Sequence, residues 1–515
     1  MNADCSSFHS RNQAFDFGLL KSVPDLRSNI SAYLRESAAH LPVIIRGVPH
    51  SSITGGSPSS AYRRSALLRR SFRKPFPSAV RGEGVYVWDE AGKRYLDFSG
   101  SAAVNFIGHG VTEVAASMAE QAAQLEFVHS SQFTTPVAEE YAQELLEFAG
   151  ENFRGGSVYF TCGGSESVET ALKLARQYQV EIGETRRCQI LSREQSYHGS
   201  TLGALAVSGN KRRRDIYLPM VLEFAHLGFP YCYRCSYDCT DGCQNCGQQY
   251  AEELERAIKA SNGEAAAFIL EPVSGATLGA VVPPNGYLKS VAEICRRHGV
   301  LLIGDEVMTG MGRTGRNFAV EHWDVAPDIL VSAKGLSSGY APLGAVIASQ
   351  KVTDAIAAGS GSFLHGFTYN AHPISVAAGR AVLRLIQKGK LVQTADSQQA
   401  GSAGANLRRT LEELRALPTI GDVRGIGLLW GVEFVADKES KQPYPPELNF
   451  AARVGQSALE RGLLVYPMQG CVDGISGDHL LIAPPAVITA QQIAWAIEQL
   501  RNAIEAAASS VGSPV

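Results

Sequence analysis

Lys334 stands in the run Val331-Ser332-Ala333-Lys334-Gly335-Leu336, an apolar stretch that ends in a lysine between small residues. Leu301-Leu302-Ile303-Gly304-Asp305-Glu306-Val307 is a second apolar stretch, and it ends in a carboxylate. Open α/β sheets build their sites at the carboxyl ends of strands, so the two side chains are expected to face one cavity. A lysine in apolar surroundings gives up its proton readily, which suits it to form a Schiff base with a carbonyl carbon. An aspartate opposite is placed to hold the protonated ring nitrogen of a pyridoxal cofactor.

Further segments suit such a ligand. Thr161-Cys162-Gly163-Gly164-Ser165-Glu166 joins a strand to a helix. Glycines there let the backbone approach a ligand, and the N–H groups that open a helix attract phosphate. Tyr197-His198-Gly199 follows the next strand and offers a ring to stack on a flat cofactor. Glu271 ends another strand and is expected at the same edge as Asp305. Val307, two residues beyond Asp305, points to the same side of an extended chain. His365-Gly366-Phe367-Thr368-Tyr369 brings a hydroxyl at Thr368 on a later loop. Taken singly, each has a plainer reading: a turn, a packed tyrosine, a hydrogen-bonded histidine, a helix cap.

The elements that must position these residues are legible in the middle of the chain. Strands are predicted at Val158–Phe160, Gln189–Leu191, Ala267–Leu270, Val300–Ile303, Ile329–Val331 and Ala345–Ile347. Helical apolar spacing falls between them at Glu166–Tyr178, Tyr250–Ala260 and Tyr287–Arg297. Short apolar strands separated by helices imply an α/β fold with a mostly parallel sheet covered on both faces. A hairpin is expected over residues 84–98, and helices at Val111–Phe127 and Val137–Phe148. After about residue 375 the pattern changes. Helices at Ile374–Ile386 and Gly404–Leu414, a strand at Gly427–Val435 and a terminal helix from Thr489 read as a smaller α+β domain.

At 515 residues the chain is too long for one simple core. Its net charge of -3 gives no electrostatic reason for nucleic acid or an anionic membrane as partner. No apolar run approaches the roughly 20 residues that span a bilayer. The first thirty residues lack the apolar stretch of a secretory signal, so a cytoplasmic setting is expected. A mitochondrial address is the lesser reading, because Asp4, Asp16, Asp25 and Glu36 interrupt any basic leader.

Together the segments resemble the class III aminotransferases, pyridoxal 5'-phosphate enzymes of fold type I, from about residue 65 to 507. The marks are Gly304-Asp305-Glu306-Val307, Gly312-Arg313-Thr314-Gly315, Ala333-Lys334-Gly335 and Ala483-Pro484-Pro485, in that order. The resemblance implies that Lys334 joins the cofactor and shuttles the substrate proton, while Asp305 pairs with the ring nitrogen. Tyr197 and Val307 would cover the ring, and Gly164 and Ser165 bind phosphate, with Thr368 arriving from a second subunit of a homodimer. His198 and Glu271 count with these as cofactor-binding residues, and no catalytic metal is assigned. It also implies a small-molecule amino donor and keto acceptor. The implied organisation is an extension over 1–62, an N-terminal segment over 63–130 serving the small domain and dimer, and a large cofactor domain over 131–375. A small domain over 376–507 and a tail over 508–515 complete it. A lyase or aminomutase of the same fold is the nearest alternative, and a non-catalytic zinc-bearing interaction protein a remote one.

Two departures from that family matter. Where many relatives carry carboxylate-gripping arginines, this chain has Leu481 and the run Leu463-Leu464-Val465-Tyr466. Pyruvate or an aldehyde is therefore expected as acceptor ahead of 2-oxoglutarate, unless another arginine, such as Arg424, reaches in. The second departure is an insertion over 231–247 with Cys232, Cys235, Cys239, Cys243 and Cys246. Its spacing resembles a zinc loop, although ligand pairs ordinarily sit farther apart, so reduced thiols and structural zinc both stay open.

Overall fold

The computed structural model describes residues 66–71, 76–237 and 245–512. The chain divides into two units, Met1–Phe76 and Pro77–Val515, and the architecture that follows is that of the second. The extension expected over 1–62 lies outside the described residues.

The second unit opens with three antiparallel strands, β1 (Ala79–Glu83), β2 (Tyr86–Asp89) and β3 (Arg94–Asp97). The last two are the expected hairpin. Its core is a seven-stranded sheet of β4 (Ser157–Thr161), β5 (Gln189–Arg193), β6 (His226–Leu227), β7 (Ala265–Leu270), β8 (Leu301–Asp305), β9 (Ile329–Ser332) and β10 (Gly344–Ala348). The spatial order is β4-β10-β9-β8-β7-β5-β6. Neighbours from β9 to β6 run parallel, whereas β10 runs antiparallel to both β9 and β4.

Every residue of β7, β8 and β9 is buried, which is why these segments read as unbroken apolar runs. The strand period of two sorts them to opposite faces. Ile269, Ile303 and Val331 pack with Val168, Ala171 and Ala175 of the helix Gly164–Glu181. Leu270, Leu302 and Leu330 join the core that includes Leu254 and Val291, from the helices Cys246–Ala260 and Tyr287–His298. Arg193, at the end of β5, is buried but satisfied: it donates to Tyr287 Oη at 2.7 Å, Gly228 O at 2.8 Å and Tyr250 O at 3.0 Å.

The C-terminal part carries a four-stranded sheet ordered β11-β12-β15-β14, from β11 (Ile420–Ile426), β12 (Leu429–Phe434), β14 (Tyr466–Gln469) and β15 (Asp478–Ile482). β13 (Leu463–Leu464) pairs instead with β3, so the first and last thirds of the unit share a sheet. The single strand expected over Gly427–Val435 is in fact the second arm of a hairpin. Gly427 makes its turn at φ 62°, and a Cβ there would sit 2.4 Å from Thr314 backbone. Thr489 caps the final helix, Ala490–Ser510, accepting the N–H of Gln492.

Candidate active site

A cavity of about 320 Å³ opens at the carboxyl ends of β8 and β9. Asp305 lies at its wall as the last residue of β8. Its Oδ2 is 2.6 Å from His198 Nδ1, and its Oδ1 accepts the N–H of Val307 at 3.1 Å. Both partners come from residues named on sequence grounds, and both hold the carboxylate in one orientation.

Lys334 follows β9 on the short turn Lys334–Leu336, with its backbone in the left-handed region at φ 46°. For a residue with a side chain that conformation costs roughly 1–2 kcal/mol and persists where the surroundings impose it. Burial pushes its amine down to about 8; Arg213 and Arg313 push the same way, while Asp305 and Glu271 oppose them. The lysine therefore carries a neutral, nucleophilic amine far more often than a lysine in water.

Glu271 directly follows β7. It accepts the N–H of Tyr197 at 3.2 Å on Oε2 and that of Gly275 at 2.8 Å on Oε1. Burial raises its carboxyl to about 7; Asp305 adds to this, and His198 and the two N–H groups oppose it. Its evident work is to hold the loop that carries Tyr197.

Gly164 and Ser165 begin the helix Gly164–Glu181. A Cβ at neighbouring Gly163 would meet nothing within 4 Å, so open space lies beside the turn, whereas one at Gly164 would press on Val307 at 3.1 Å. Ser165 Oγ accepts the N–H of Ser200 at 3.0 Å. Gly199 makes that approach feasible: its φ is 147°, and a Cβ would stand 2.7 Å from Ser165 Oγ.

Gly164, Ser165, Tyr197, His198, Glu271, Asp305, Val307 and Lys334 thus all line one cavity. Thr368 does not. It is exposed on the segment between the helices Gln350–Ala358 and Pro373–Lys388, and stands outside this cavity within a single chain. Arg213 is a neighbour the sequence reading missed: its guanidinium lies over the Tyr197 ring, 4.2 Å from the centroid. The run Lys211-Arg212-Arg213-Arg214, in the same connection as Tyr197, was the available signal.

Arg424 is not a substitute grip. Its Nη1 is 2.8 Å from Glu433 Oε2 and 3.2 Å from Asp422 Oδ2, and its Nη2 donates to Leu278 O. Those partners absorb its charge. Leu481 and Tyr466 sit opposite each other on β15 and β14. Of the cysteine insertion, Cys239 and Cys243 lie outside the described residues. Cys232 Sγ is 3.9 Å from Cys246 Sγ, and Cys235 Sγ is 3.8 Å from Tyr250 Oη. Among the described residues, no three His, Cys, Asp or Glu are grouped to hold a metal.

The donor set fits pyridoxal 5'-phosphate: an easily deprotonated amine, a buried carboxylate for a cationic ring nitrogen, and a helix start with open space for an anion. The sequence profile of the Aminotransferase class-III family matches residues 69–504. The chain belongs to the class III aminotransferases. An uncharacterized aminotransferase of Bacillus subtilis, YodT, is 40% identical over 82% of this chain and 94% of its own. The structure of an (S)-enantioselective omega-transaminase from Thermomicrobium roseum is 37% identical, with a TM-score of 0.78, covering 86% of this chain and 94% of that one. An omega transaminase from Pseudomonas jessenii, solved in complex with PMP, is 30% identical with a TM-score of 0.78, over 85% and 94% of the two chains. This class III aminotransferase is accordingly a transaminase of fold type I, and the family's cofactor is pyridoxal 5'-phosphate. Among the described residues, no helix is long and apolar enough to cross a membrane.

Proposed function

We propose that this transaminase moves an amino group from an amine or amino acid to pyruvate, or to an aldehyde, in preference to 2-oxoglutarate, as a cytoplasmic homodimer. The observation that carries the site assignment is Lys334 and Asp305 facing one cavity, with the lysine amine depressed to about 8. When bound, the cofactor supplies an aldehyde carbon and an electron-poor ring that absorbs the electron pair of the substrate carbon. The chain's residues do the rest. Lys334 Nζ would hold the cofactor at its aldehyde carbon and would serve as the base and acid that moves the proton at the substrate carbon. Asp305, oriented by His198, would keep the ring nitrogen cationic. Val307 and Tyr197 would pack on the ring, the first N–H groups of the helix Gly164–Glu181 would hold phosphate with Ser165, and Thr368 of a second copy would add to that grip.

Support for the acceptor preference comes from Leu481 and Tyr466, paired on β15 and β14, which put no charge where many relatives carry carboxylate-gripping arginines. A buried carboxylate without a partner costs several kcal/mol. Likeness to an (S)-enantioselective omega-transaminase supports amines among the donors. The test is borohydride reduction of holoenzyme followed by peptide mapping, which we expect to fix the cofactor on the Lys334 peptide. Lys334→Ala should abolish turnover on a panel of amines with pyruvate and 2-oxoglutarate. Substantial transamination by that variant would overturn the assignment, and a clear 2-oxoglutarate preference in the wild type would overturn the acceptor.

A further inference from the structure

We propose that Arg213 grips the carboxylate of the keto acid or amino acid substrate, an assignment that rests on the transaminase reading above. Elimination leads there first. The charges of Arg213 and Arg313 both act on Lys334. Arg313 is consumed by main-chain carbonyls, donating to Ala483 O at 3.0 Å, Pro484 O at 2.6 Å and Asn105 O at 2.8 Å. The two arginines flanking Arg213 are engaged as well. Arg212 Nη1 donates to Gln469 Oε1 at 2.6 Å, and Arg214 Nη1 contacts the His226 ring at 3.1 Å.

Arg213 differs from all of these. It is half-buried, and among the described residues its guanidinium has no recorded hydrogen bond or ion pair. Its recorded contact is the face of Tyr197, whose ring lines the cavity that holds Lys334. A stacked cation is held more weakly than a guanidinium forked onto a carboxylate, so an arriving carboxylate draws Arg213 off the ring. For a donor or acceptor without a carboxylate, the guanidinium stays on Tyr197 and leaves no unpaired anion to accommodate. One planar cation thereby serves both substrate classes. The grip holds a single carboxylate, in keeping with a monocarboxylic keto acid.

The experiment uses holoenzyme of wild type, Arg213→Gln and Arg213→Lys. Pyruvate and acetaldehyde, which is pyruvate with its carboxylate replaced by hydrogen, are compared as acceptors for 1-phenylethylamine, and propionate binding is measured by calorimetry. We expect Arg213→Gln to lower the pyruvate-to-acetaldehyde ratio of kcat/KM, and to weaken propionate binding, each on the order of 10- to 100-fold. Arg213→Lys, which keeps the charge but not the fork, should recover part of both. An unchanged ratio overturns the proposal, and so does an equal loss on both acceptors, which would mark Arg213 as a support for Tyr197. If no amine is turned over by wild type, the transaminase reading fails instead, and the propionate titration alone still decides Arg213.

Discussion

A lysine amine attacks a carbonyl only when neutral, and the surroundings of Lys334 bring its titration down to about 8. In the unfolded chain it titrates near 10.5, so between the two values the unfolded state binds more protons than the folded one. The burden of burying this amine is therefore fullest below pH 8 and is relieved as the pH rises toward 10.5. The functional consequence is direct. Cofactor-free protein mixed with pyridoxal 5'-phosphate should take it up at a rate that climbs through a single titration near pH 8, read by stopped-flow absorbance. A climb centred near 10.4, as for a lysine in water, would show that the cavity does not tune this residue. Much of the site was open to reading because its chemistry sits at strand ends. Asp305, Glu271 and Lys334 each terminate or follow an apolar run that could only be a buried strand. Arg213 escaped because it lies in a basic run on a four-residue helix, where nothing in residue spacing tells a cation stacked on Tyr197 from one in water.

Glu433 links three segments of chain at the scale of elements. It lies fully buried on β12, with Oε1 2.7 Å from Arg234 Nε and Oε2 2.8 Å from Arg424 Nη1 of β11, and it accepts the Tyr231 hydroxyl. Burial opposes its ionisation, but Arg424 and Arg234 outweigh that and hold the carboxyl below the usual range. Removing that charge takes from Arg234 its paired carboxylate and leaves Arg424 with Asp422 alone. Glu433→Gln should thus cost roughly 3–5 kcal/mol of stability, the usual effect of breaking a buried pair. Urea unfolding followed by fluorescence measures it, and a loss under about 1 kcal/mol would place the cluster with weak surface pairs. This cluster also explains where the sequence misled. β11, Ile420-Gly421-Asp422-Val423-Arg424-Gly425-Ile426, hides its strand character behind two glycines and two charges: Arg424 pairs with Glu433 across the hairpin, and Asp422 with Arg424 and Arg415. The central strands were legible because burial on both faces leaves no room for such residues. The antiparallel run of β10 was not, since direction depends on the long connection through Lys334 and not on the composition of Gly344–Ala348.

The whole molecule poses a question at Thr368. It stands on the surface between Leu364, 79% exposed, and Tyr369, 56% exposed, while Ile216 and Leu222 are 79% and 67% exposed. Large apolar side chains left open, as Leu364 and Tyr369 are on the loop of Thr368, mark a surface that a partner can cover. The proposed second copy of the chain would cover it and give Thr368 a role, because a two-fold interface brings each loop to the other copy. Light scattering should accordingly give about twice the chain mass of 55.2 kDa. Mass alone does not say which site Thr368 serves, but mixing two impaired chains does. Thr368→Ala should weaken phosphate binding, raising the cofactor Kd and lowering activity, and Lys334→Ala should be inactive. Unfolded together and refolded, the two form mixed dimers. If Thr368 acts across the interface, the copy that keeps Lys334 receives an intact Thr368 from its partner, and about a quarter of all sites become native for random pairing of equal amounts. If it acts within its own chain, no site regains both residues. Recovery of cofactor affinity and turnover above either parent therefore supports the shared site, and a mixture no better than the Thr368→Ala chain alone overturns it.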